Sequence, residues 1–358
     1  MRCATSSPTG SGSSALAPIG DRALVLPTIA RVLQVRETKE QPLLDRVRAF
    51  LRPRHALLVL DNVEHVVAGA TVATDLLTSC PELRILATSR VRLRLSGEHN
   101  LPIPPLALPD PAASPEVEEL ERSAAVALFV ARARAVRPDF ALTTANARAV
   151  AEICRRLDGL PLAIELAAAR IGHLPPAALL SLLERCLPIL TGGPRDLPAR
   201  LQTMRNAIAW SYDLLSPDEQ ILFRHLAVFT GGFSLETAEL VGGEAARRRG
   251  GERTDDSFLP PSRLPASPPS VLDLLASLVD KSLVQQVEGT CSDARYRMLE
   301  TIREYGWERL ADCGEEDATR RRHAAQFLAL AERAEPGLTG PEQADWLDPR
   351  RPRLPAKQ

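Results

Sequence analysis

Three short stretches put polar residues where chemistry could be done. "ALLVLDN" (56–62) runs five apolar residues into Asp61 and Asn62. A buried strand ending this way delivers a carboxylate to the carboxyl edge of a sheet, where α/β folds bind ligands. At such an edge an Asp holds magnesium beside a bound phosphate. The next residue, Asn62, cannot serve as a base. "ILATSR" (85–90) repeats the arrangement, so Thr88, Ser89 and Arg90 fall at the same edge as Asp61. An Arg there can grip a terminal phosphate with two N–H groups. In "GLPLAIELAAAR" (159–170), Gly159 ends one helix and Pro161 opens the next. The fixed backbone and flat apolar face of that proline suit it to lie against an adenine ring. Each stretch also has a plainer explanation, since short patterns recur by chance. These are a strand with a helix-capping Asp, a solvated Arg at a strand end, and an ordinary helix–turn–helix junction.

The elements that must position these residues follow from periodicity. Segment 21–33 is apolar and reads as helical in its second half, and 41–53 carries a helical apolar face that ends at Pro53. Residues 56–61 and 83–90 read as parallel strands joined by a helix at about 68–79, the cadence of an α/β sheet. After a Pro-rich linker (102–115), segments 116–136, 145–157, 161–171 and 175–187 are helical. "SPDE" (216–219) is a helix start, with Ser216 as cap, Pro217 in the first turn and Glu219 reaching back. A helix at 270–283 and two segments flanking a polar turn, "LVQQVEG" and "ARYRMLE", complete a winged-helix pattern, with its recognition helix expected at "SLETAELV". Two amphipathic helices follow, at about 299–312 and 316–335. The expected class is α/β plus α, mostly helical. The division is 1–14 disordered, 15–107 a partial nucleotide-binding core, 115–200 a helical lid, and 201–299 a winged helix. The winged helix carries a disordered insertion at 243–269, and 300–336 is a helical pair followed by a tail at 337–358.

Composition narrows the function classes. The chain has 358 residues, is 45% hydrophobic and carries a net charge of −1. That balance gives no global electrostatic footprint for nucleic acid or an anionic membrane. No apolar run approaches the ~18 residues of a membrane span. Six cysteines without a CxxC pair, and six scattered histidines, argue against zinc and against a disulfide framework. The cytoplasm is the expected compartment, with no membrane partner.

Taken together and in this order, the stretches carry a family likeness. The chain resembles the STAND regulatory ATPases with an NB-ARC type of core, and most closely bacterial transcriptional regulators of the LuxR and AfsR kinds. "LLVLDNVEHV", "ILATSRVRLRLSGEH", "GLPLAIELAAARI" and "YRMLETIREYGWERL" carry it, over about residues 15–348. The resemblance implies a switch driven by ADP and ATP with magnesium. Asp61 is then the magnesium-site Asp, with Asn62 and Thr88 beside it. Arg90 senses phosphate, and Gly159 and Pro161 lie on the adenine side. Where relatives have a Met-His-Asp triplet that touches ADP, this chain has Met298, Leu299 and Glu300. The resemblance further implies oligomerisation or a protein partner through the C-terminal helices, with DNA contact made by other domains.

One part of the pattern is missing. A phosphate loop reads G-x-x-x-x-G-K-[ST], and no Gly-Lys dipeptide occurs in the 358 residues. Phosphate affinity rests largely on that loop's N–H groups and lysine. Impaired nucleotide binding and no independent hydrolysis are therefore expected. We read the chain as an internal fragment of such a regulator, with the edge of the 56–61 strand exposed as an aggregation liability. Alternatives are a phosphate loop supplied by a partner chain, a helical interaction module, and a winged helix that binds DNA without ATPase activity.

Overall fold

The computed structural model describes residues 2–5, 12–13, 22–38, 41–65, 71–110, 117–248, 269–287 and 294–339. Two compact units result, Met1–Pro102 and Ile103–Gln358. The architecture is mostly helical, with two small sheets.

The first unit holds strands β1 (Arg2–Thr5) and β2 (Gly12–Ser13), then helices α1 (Val25–Val32) and α2 (Leu43–Leu51). Strand β3 (Ala56–Leu60), helix α3 (Thr71–Ser79) and strand β4 (Leu83–Ala87) follow. β3 and β4 pair in parallel, Ala56 opposite Leu83 through Leu60 opposite Ala87. Ile29, Val47, Leu51, Leu58 and Leu76 are at most 1% exposed and join the helices to the strands. Each such side chain contributes about 2 kcal/mol of burial. Two expectations are corrected. Segment 1–14 is not wholly without structure, because β1 and β2 lie within it. Nor is β3 an edge strand, because the sheet order is β2-β1-β3-β4 and β1 runs antiparallel beside it. The end strand on the other side is β4.

The second unit begins with α4 (Val117–Glu121), α5 (Ala124–Val136), α6 (Thr144–Arg156), α7 (Pro161–Ala168) and α8 (Pro176–Leu182). Helices α9 (Met204–Asp213) and α10 (Pro217–Leu226), strand β5 (Phe233–Ser234) and helices α11 (Leu235–Arg248) and α12 (Val271–Asp280) come next. Strands β6 (Gln285–Val287) and β7 (Arg295–Arg297) and helices α13 (Glu300–Asp312) and α14 (Glu316–Thr339) complete it. One apolar core runs from Leu120 to Tyr305.

From α10 to β7 the order is helix, strand, two helices, two strands, closed by an antiparallel sheet ordered β5-β7-β6. This is a winged-helix arrangement. Its third helix, the one preceding the hairpin, is α12 and not the "SLETAELV" stretch, which begins α11. Helix α11 also continues to Arg248, so the expected insertion is helical over 243–248. Its residues 249–268 lie outside the described residues. The expected tail is helical to Thr339, and 340–358 also lie outside them.

Candidate functional site

Asp61 and Thr88 each follow directly on the last paired residues of β3 and β4, Leu60 and Ala87. Parallel pairing in that register therefore sets the two side chains next to each other at the carboxyl edge. The Thr88 hydroxyl donates to Asp61 Oδ1 at 2.5 Å and accepts from the Asn62 N–H at 2.9 Å. Two backbone bonds lock the junction, from Thr88 N–H to the Leu60 carbonyl at 2.8 Å and from Val63 N–H to the Thr88 carbonyl at 3.1 Å. Asn62 takes a left-handed φ of +66°, a conformation Asn tolerates better than most residues. It turns the chain out of the strand at the point where the carboxylate is delivered. Asp61 is exposed, so its carboxylate faces solvent.

The sequence reading missed Glu64. It lies in the short 3-10 turn Val63–His65 and is 8% exposed. Arg90 Nε stands 3.7 Å from its Oε1, with the arginine side chain 31% exposed. The available signal was a lone acid inside an apolar stretch, "NVEHVV", where a solvated face would have been more polar. Together the edge presents a carboxylate, a hydroxyl and a guanidinium. An anionic ligand can take the guanidinium, and a hydrated divalent ion can sit at the carboxylate. Among the described residues there is no cluster of three or more His, Cys, Asp or Glu that could hold a metal. Asp61 alone offers a carboxylate at this edge, so any cation here would draw its other ligands from water or a bound anion. The donor set does not fit an all-protein cage.

Gly159 and Pro161 belong to the second unit. Gly159 has a φ of +68°, and a Cβ built there would lie 2.3 Å from the Leu106 carbonyl oxygen. Its own carbonyl accepts from the Leu106 N–H at 2.9 Å. This glycine is thus required by a close backbone crossing. Pro161 is the first residue of α7 and is exposed. Asp158, just before, is also left-handed at +51° and its Oδ2 accepts from the Glu300 N–H at 2.7 Å, capping α13. Burial pushes the Asp158 carboxyl up, against the pull of that N–H bond and of Arg297. At the triplet position, Met298 and Leu299 are 8% and 4% exposed and pack in the core. Leu299 is an apolar anchor at the start of α13.

A cleft of about 720 Å³ in the second unit is lined by Glu300 of the triplet position, but by none of Asp61, Asn62, Thr88, Arg90, Gly159 and Pro161. Three of its carboxylates already have partners. Glu304 accepts from the Cys186 and Leu187 N–H groups, Glu300 pairs with Arg303, and Glu308 pairs with Arg205.

No family model matches the chain. Two mycobacterial proteins, from Mycobacterium bovis and Mycobacterium tuberculosis, carry the provisional name HTH-type transcriptional regulator. Each is 42% identical over 318 residues, 88% of this chain and 32% of the relative. The chain thus spans about a third of the length of those relatives. An uncharacterized protein of Mycobacterium tuberculosis is 37% identical over 309 residues, 86% of this chain and 70% of its own length. The chain belongs to one family with this mycobacterial protein. A solved STAND ATPase with a tetratricopeptide repeat sensor, from Pyrococcus horikoshii, aligns over 86% of this chain and 36% of its own. Its identity is 16% and its TM-score 0.25, too loose a superposition to assign a shared fold. Among the described residues no helix is long and apolar enough to cross a membrane.

Proposed function

We propose that this chain is the switch portion of a transcriptional regulator of the STAND type, binding ADP and ATP at the carboxyl edge of β3 and β4. The observation that carries this reading is the Asp61–Thr88 pair, a carboxylate held by a hydroxyl at the end of two parallel strands. Asp61 would hold magnesium through water. Thr88 fixes the Asp61 carboxylate and its own backbone, and Arg90 would meet the terminal phosphate. Asn62 is no base, so the chain is a binder rather than an independent ATPase. A cytoplasmic setting is part of the same proposal.

Without a Gly-Lys phosphate cradle in these residues, affinity should be low, with Kd on the order of millimolar. Calorimetric titration of the full chain with Mg·ADP and Mg·ATP tests this. Asp61→Ala should abolish the magnesium-dependent part of binding. Binding that ignores magnesium and Asp61 overturns the assignment.

A second reading is favoured at one place. Helix α14 exposes Phe327 at 48% and Leu328 at 60%, adjacent large apolar side chains. They suit a protein partner or a second copy of the chain. Sedimentation of the full chain against the Phe327→Ser/Leu328→Ser variant decides it, because an unchanged distribution of species removes self-association.

A further inference from the structure

Among the described residues, Glu64 is the buried charged residue of the first unit. Its side chain is 1% exposed, and neither carboxylate oxygen has a hydrogen-bond partner. Burying a carboxylate without hydrogen bonds is costly, and such groups persist where an opposite charge faces them. The facing charge is Arg90, whose Nε lies 3.7 Å from Glu64 Oε1. That separation is within ion-pair range and beyond a hydrogen bond. Attraction between the two is Coulombic and sets no single geometry. Arg90 itself stands two residues past Thr88, whose hydroxyl holds Asp61.

We propose that Glu64 is a positioning residue for Arg90. Its buried charge draws the guanidinium to the sheet edge beside Asp61 and Thr88, and a phosphate can then claim N–H groups while Glu64 stays as counter-charge. The inference rests on reading this edge as a phosphate site. It adds that selection of a terminal phosphate depends on a buried acid which touches no ligand. A more highly charged triphosphate then competes for Arg90 better than a diphosphate does.

The test is a double-variant cycle on the full chain. Arg90→Gln strands the Glu64 carboxylate and should lower the thermal midpoint by about 4 °C. Arg90→Lys, which keeps the charge, should lose less than half of that. In a Glu64→Gln background the same Arg90→Gln change should move the midpoint by less than about 1 °C. Glu64→Gln is nearly isosteric and removes only the charge, so it keeps the cycle readable. Equal costs of Arg90→Gln in both backgrounds overturn the pairing. Titration of the same proteins with Mg·ADP and Mg·ATP separates the two ideas. No binding by the parent chain ends the phosphate reading and with it the selection role, while the cycle still decides the pairing. An ATP-to-ADP preference unchanged in Glu64→Gln ends the selection role alone.

Discussion

Gly159 has two independent reasons to be glycine, its left-handed backbone and the 2.3 Å approach of a built Cβ to the Leu106 carbonyl. Gly97 has only the first, with a φ of +79° and nothing within 4 Å. Gly159→Ala should therefore cost at least about 2 kcal/mol and Gly97→Ala only about 1 kcal/mol, read from urea midpoints. Equal losses would mean that the Leu106 crossing can relax. A motif residue assigned to the adenine side thus has a folding duty whatever it binds. His225 is a second case in which the surroundings set behaviour. Burial, with Arg322 and Arg224 nearby, holds its imidazole down to about 4, although Glu315 pulls the other way from 3.3 Å. The unfolded chain protonates it at the ordinary 6.5. Between those values the unfolded state binds more protons, so stability is lost as pH falls from 6.5 through about 4. His225→Gln should flatten that limb of a stability-against-pH curve, and an unchanged slope would show that the imidazole is not buried neutral.

Helix α10 shows how one residue can serve two elements. Glu219 closes the capping box, accepting from the Ser216 N–H at 2.6 Å, and its carboxylate also takes Lys281 Nζ at 2.6 Å and the Ser277 hydroxyl at 2.5 Å. Burial alone would raise the Glu219 carboxyl, yet the bonds from Lys281, Ser277 and Ser216 outweigh it and hold it below the usual range. Its contribution is therefore present above 4.5, the ordinary value, and lost as pH falls through the lower folded one. Lys281→Ala leaves this buried charge unpaired and should cost about 3 kcal/mol at neutral pH. Pairing the change with Glu219→Gln should recover part of the loss, and no recovery would place the cost in packing of the lysine stem. The "SPDE" start was legible because a capping box is a local code of four residues. The β3–α3–β4 unit was legible because apolar runs and their spacing are local too. Strands β1 and β5 are four and two residues long and exist only through pairing with distant strands, so no local pattern announces them. At the candidate site, Asp61, Thr88 and Arg90 were legible as strand-end residues. Glu64 was not, because its importance lies in burial and in an arginine 26 positions away.

Across the whole molecule the winged helix presents little to DNA. α12 carries Asp273 and Asp280, Lys281 at its end is spent on Glu219, and the wing arginine Arg295 donates to the Gly232 carbonyl at 3.2 Å. With a net charge of −1, the chain should give no retardation of duplex DNA at about 150 mM salt. A shift that weakens steeply with added salt would reverse this. The end strand of the first sheet has a different consequence. β4 has β3 on one side and, among the described residues, no strand on the other, and its Leu86 is 51% exposed. Such an edge is a template for another chain, so loss of soluble protein should be a bimolecular process. Its initial rate should scale with the square of concentration, and Leu86→Lys should slow it while leaving the thermal midpoint nearly unchanged. The working limit of this protein would then be a dilution and not a temperature.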